Sequence, residues 1–199
     1  TRTMGGMRRR SLFLAPAVAC LFLSACTGGT KHHAGQATAP ATKPSAGPPG
    51  SPGHPVVFGC AEESFAGDSS VQQRPQPGDL AVGPLIIFGG QRLATADPAG
   101  NGEHGSYPKV PFIVTMGATV TVTIDPPARG HVMITNPYAP GWVTAATYRP
   151  CPHVPGFYAQ GFAFTDGQIR GCVPLGVKVG GQPRIRHVTL SLFAGSCPG

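Results

Sequence analysis

Among the soft or borderline donors in the second half of this 199-residue chain, four stand at suggestive spacing: His104, Met116, His131 and Met133. Thioether and imidazole suit Cu(I), so a bound copper ion is one chemistry the set implies. Strand alternation puts His131 and Met133 on one side and Val132 and Ile134 on the other. That placement suits a ligand pair, and equally a surface histidine beside an edge-packing methionine. A second group is aromatic. In NPYAPGWVTAATY, Tyr138, the sole tryptophan Trp142 and Tyr148 gather where Pro and Gly break regular structure. Rings on a loop stack on sugars or anchor a peptide; the competing expectation is that Trp142 plugs one end of the core.

Catalytic signatures do not assemble. GNGEHG, residues 100–105, matches G-x-G-x-x-G but lacks the flanking strand and helix that hold a pyrophosphate. Neither G-x-S-x-G nor H-E-x-x-H occurs. No C-x-x-C spacing is present for redox or zinc chemistry. The expectation is a non-enzymatic chain with no cofactor, copper being the alternative.

The elements that must position these groups are strands. Val120, Val122 and Ile124 alternate with threonines, and Val188, Leu190 and Leu192 alternate with His187, Thr189 and Ser191. Further strands are expected over 79–88, 110–116, 131–135, 143–148, 157–165 and 169–179, with Pro and Gly in the gaps and no helical period or internal repeat. The fold class is all-β: a two-sheet sandwich of Greek-key, immunoglobulin-like or cupredoxin-like outline. Asp166-Gly167 reads as a two-residue hairpin turn with positive φ at both positions, setting Phe164 opposite Ile169 and Phe162 opposite Gly171. Phe162, Phe164, Ile169, Val173, Leu175 and Val177 then face the core, and Cys172 faces out.

Cys60, Cys151, Cys172 and Cys197 form an even set, which implies two disulfides in an exported domain. Three connectivities are open. The expected one joins Cys60 to Cys197, at the two ends of the domain, and Cys151 to Cys172, across the outer face of the hairpin.

Ahead of the domain lies an address. Arg8, Arg9 and Arg10 precede an uncharged apolar run from Leu12 to Leu23. The run is short of the ~20 residues that a membrane-spanning helix needs and has the layout of a signal peptide. Leu23-Ser24-Ala25-Cys26 resembles the lipobox of bacterial lipoproteins. That resemblance implies cleavage before Cys26, a diacylglyceryl group on its sulfur, and a place on the outer face of the cytoplasmic membrane. Arg9-Arg10 hints at twin-arginine export, with Sec the default; Met4 or Met7 is the expected start, and Cys20 leaves with the leader. Residues 26–55, rich in Gly, Pro, Ala, Ser and Thr, are expected to be a disordered tether. Its His32, His33 and His54 are read as solvated. The domain spans 56–199.

From Cys26 onward, 11 Lys and Arg face 8 Asp and Glu, a net of +3 without clustering, so a nucleic-acid partner is not expected. The Arg, Ala, Gly and Pro bias fits a GC-rich genome such as an actinobacterium's. His104, Met116 and the His131-x-Met133 pair resemble the His…Met…His-x-Met signature of exported copper chaperones, which are cupredoxin-like sandwiches. Here 11 residues separate the first pair and 14 separate Met116 from His131, a second gap shorter than the family's. The leading expectation is a lipid-anchored binding or interaction module for a cell-wall glycan or protein partner, with exported copper binding as the alternative.

Overall fold

The alternation of Val120, Val122 and Ile124 with threonines becomes a strand whose apolar side chains are fully buried and whose threonines are half-buried. The structure is a computed structural model that describes residues 47–64, 72–98, 107–137 and 141–198. Within them the chain forms β1 (Val56–Phe58), β2 (Leu80–Val82), β3 (Leu85–Ile87), β4 (Phe112–Val114), β5 (Val120–Ile124) and β6 (Val132–Thr135). Then follow β7 (Ala145–Tyr148), β8 (Gly156–Tyr158), β9 (Gly161–Phe164), β10 (Gly171–Val179) and β11 (Ile185–Leu192).

Two layers result. One sheet has the order β1-β7-β5-β10-β11, antiparallel except where β1 runs parallel to β7. The other has the order β2-β3-β4-β8, and β6 pairs with β9. The second layer is nearly continuous, because Val110 N–H donates to the Gln160 carbonyl at 2.7 Å and Lys109 bridges Gly161. The β4–β8 register thus carries on into β9, which then takes β6 as its neighbour. Sequence neighbours such as β5 and β6 lie in different sheets, as a Greek-key sandwich requires. Between the layers lie Phe58, Leu85, Phe112, Val122, Tyr148, Tyr158, Phe162, Leu175 and Leu190, all buried, so the domain is a disulfide-stapled β-sandwich.

The expected β9–β10 hairpin is not formed. Gly167 alone takes the left-handed conformation, at φ 76°; its N–H donates to the Phe164 carbonyl at 3.1 Å, and Asp166 Oδ1 accepts the Gln168 N–H at 3.0 Å. The type I′ turn expected at Asp166-Gly167 needs positive φ at both central residues. With only one, the chain passes from one sheet to the other: β9 pairs with β6, and β10 with β5 and β11. Ile169, expected in the core, is 40% exposed, while Val173, Leu175 and Val177 are buried as expected.

The disulfide pairing changes with the strand order. Cys60 joins Cys151 and Cys172 joins Cys197. Parallel pairing sets Phe58 beside Tyr148, so the chain continuing from each strand brings Cys60 alongside Cys151. Antiparallel pairing sets Gly171 opposite Leu192, and the C-terminal segment turns back through Phe193 and Gly195 to reach Cys172. The supposed tether also ends earlier than residue 55. Gly50 is buried, and its carbonyl accepts the Thr144 and Ala145 N–H groups, each at 2.8 Å. At φ +83°, with Val143 Cγ1 only 2.5 Å from where a Cβ would sit, only glycine fits there.

Beside the Cys60–Cys151 bridge lies a buried acid. Glu63 Oε1 accepts the Cys151 N–H at 2.7 Å and the Tyr158 hydroxyl at 3.4 Å, while Oε2 has no partner among the described residues. Burial raises its pKa above the ordinary glutamate value, more than these two hydrogen bonds lower it. A carboxyl whose pKa rises on folding gives its full stabilisation below the unfolded pKa and loses it as pH rises through the folded value. Stability should therefore fall with rising pH across that window. Glu63→Gln should flatten this slope in denaturant unfolding measured against pH, and an unchanged slope in the variant would assign it elsewhere.

Candidate functional site

The three described soft donors, Met116, His131 and Met133, are not gathered. His104 lies outside the described residues. Met116 is 50% exposed in the turn closed by the Ala118 N–H to Thr115 carbonyl bond, just before β5. His131 is exposed and Met133 half-buried, with Val132 and Ile134 buried behind them, so the alternation read from sequence is correct. That pair follows the far end of β5, however, since Ile134 bridges Val143 just ahead of the Thr123–Ala145 pairing. A five-residue strand is roughly 16 Å long, so Met116 and the His131/Met133 pair do not share a coordination sphere. Among the described residues, no three His, Cys, Asp or Glu side chains are grouped to hold a metal ion.

The aromatic group divides. Tyr138 and the stretch 100–105 lie outside the described residues. Trp142 is 54% exposed and does not plug the core. Tyr148 belongs to β7 and is fully buried, which corrects its placement in a binding loop. Its ring lies 5.5 Å from Phe58 and Phe112 and 4.9 Å from Tyr158, centroid to centroid, and its hydroxyl donates to Gln160 Oε1.

Pro137, in the segment between β6 and Trp142, borders a cleft that no motif announces. A hollow of about 360 Å³ is walled by Tyr107, Lys109, Pro111, Pro137, Ala159 and Gln160. Pairing of 108–110 with 160–162 ahead of β4 builds one wall, and Pro137, directly after β6 and Asn136, closes the other. Lys109 and Pro111 also border a second hollow of about 320 Å³, lined by Phe88, Gly89, Arg92, Leu93 and Ala96. The two form adjoining compartments of one apolar groove. The Arg92 guanidinium lies 6.0 Å from the centre of the Phe88 ring, a cation–π distance.

Asp79 holds that second wall in place. Its carboxylate accepts the N–H groups of Gly89 at 2.7 Å and Gln76 at 2.8 Å and the Gln72 side-chain amide at 2.7 Å. Burial alone would raise its pKa, but these three donors and the nearby Arg92 charge outweigh burial and hold it below the ordinary aspartate value. The Phe88–Arg92 turn is thus tied to the start of β2, the antiparallel neighbour of β3. Sequence reading did not find the groove, because its residues come from four separate segments that only strand pairing unites.

No protein family, no curated protein and no solved structure matches the chain.

Proposed function

We infer that this protein is an extracytoplasmic binding module, lipid-anchored through Cys26, whose disulfide-stapled sandwich presents the loop from Asn136 to Val143 to a cell-wall glycan. The observation that carries the reading is the exposure of Trp142 on the same loop that supplies Pro137 to the groove. An exposed indole loses little entropy on binding and offers a face to the C–H side of a sugar. A groove of this volume, apolar with a few polar groups at its edge, accommodates a saccharide unit. Binding groups on loops of a rigid scaffold are the usual arrangement in such modules.

Trp142→Ala tests the reading. The variant should keep wild-type stability to within about 0.5 kcal/mol, while its co-sedimentation with purified cell-wall glycan drops sharply. Wild-type capture by the variant, or no capture by either protein, would remove the glycan assignment. A protein partner recovered by crosslinking at residue 142 would then take its place.

A further inference from the structure

The outer face of the five-stranded sheet holds a second and chemically different cleft. It measures about 400 Å³, and its walls include Thr121, Thr123, Asp125, Arg129, Lys178 and His187. Register brings these residues together: Thr121 pairs with Lys178, Thr123 with Gly176, and Gly176 with His187. Gly176 makes the floor. A Cβ there would lie 2.7 Å from Thr123 Oγ1 and 2.9 Å from Asp125 Oδ1, so the missing side chain is what lets both groups fold over the strand.

The geometry points to a binding site for a phosphate group in this cleft. Its one carboxylate is already engaged, since Asp125 Oδ2 lies 2.8 Å from His187 Nδ1. Arg129 Nε donates to the Ile124 carbonyl at 2.8 Å, which fixes the guanidinium at the rim; its terminal nitrogens have no partner among the described residues. Lys178 likewise meets no carboxylate among them. The Thr121 and Thr147 hydroxyls lie 2.8 Å apart and share one proton, so a second hydroxyl proton remains to be donated. The donors outnumber the free acceptors, and the Arg129 and Lys178 side chains face a single carboxylate that is hydrogen-bonded to His187. They also rise from three strands and the loop after β5, so they approach a bound group from several sides. That arrangement matches the tetrahedral oxygens of phosphate better than a flat carboxylate. The site is independent of the Trp142 groove, which lies on the other layer.

Inorganic phosphate is the probe. Titrated into the full chain, it should give saturable NMR shifts at Thr121, Lys178 and His187. Arg129→Gln and Lys178→Gln should each weaken binding about tenfold, the scale of one charge-assisted hydrogen bond. Arg170→Gln, at the far end of β10, should leave binding unchanged, and melting temperatures should show that all three variants fold. Sedimentation with phosphatidylglycerol vesicles separates the sources. Recruitment that falls in the Arg129→Gln/Lys178→Gln chain identifies a lipid headgroup, and recruitment equal in both chains, with phosphate bound by the wild type and weakened in the double variant, identifies a soluble phosphate ester. Absence of saturable shifts, or phosphate affinity unaltered in the double variant, overturns the site.

Discussion

A chain in which Cys60 and Cys151 are both replaced by serine is expected to lose about 4–5 kcal/mol of stability, the largest loss from removing either bridge. The bond closes a loop with a sequence separation of 91, against 25 for Cys172–Cys197. In the chain-entropy treatment the shorter loop is worth about 3–4 kcal/mol. Since a domain of this size is stable by only ~5–15 kcal/mol, loss of the long-range bridge should leave it marginal. The bridge also holds the ends of β1 and β7 together, the one parallel pairing in the sheet. Glu63 accepts the Cys151 backbone N–H, a donor that serine keeps, so the loss measures the bridge itself and not this hydrogen bond. Denaturant unfolding of the two double-serine proteins, with non-reducing peptide mapping of the wild type, checks both points. Equal losses for the two bridges, or a Cys60–Cys197 peptide, would show that the β1–β7 pairing is wrong.

What the sequence disclosed were features set by neighbours along the chain. Alternation in β5 and in the middle of β10 fixed which residues face the core, because a half-buried strand writes its period of two into itself. The stretch 79–88 shows the limit. It reads as one strand but is two, β2 and β3, folded at Gly83, whose φ of +63° makes the turn. Partner choice was not legible. β1 is only three residues long, and its neighbour β7 lies some ninety residues on, so no local signal marks the pairing that decides the disulfides. The same holds for the clefts. Lys109 and Pro137 share a groove, and Thr121, Lys178 and His187 share another, only because of which strands lie side by side. The described soft donors are apart for the converse reason: their chemistry is suitable, but β5 stands between Met116 and the His131/Met133 pair.

Trp142 and Tyr148, six positions apart in one aromatic stretch, should respond to truncation in opposite ways, and the core member carries the larger effect. Tyr148→Ala is expected to cost about 3–5 kcal/mol, the usual range for removing a large buried ring. The ring touches Phe58 and Phe112 as well as Tyr158, so both layers of the sandwich lose contacts at once. Tyr148→Phe isolates the hydroxyl. Burial pushes the Tyr148 pKa well above the ordinary tyrosine value, so the group stays a neutral donor to Gln160 Oε1. Gln160 Nε2 is already without a partner among the described residues, and losing the Tyr148 hydroxyl would leave the buried amide unsatisfied by them. About 1–3 kcal/mol is expected for that change, the cost of orphaning a buried polar group. The ordering Tyr148→Ala, then Tyr148→Phe, then a near-silent Trp142→Ala follows from burial alone and is read by denaturant unfolding. A Tyr148→Ala loss below about 1 kcal/mol would place the ring outside the core, and with it the pairing of β7 between β1 and β5 on which the sandwich depends.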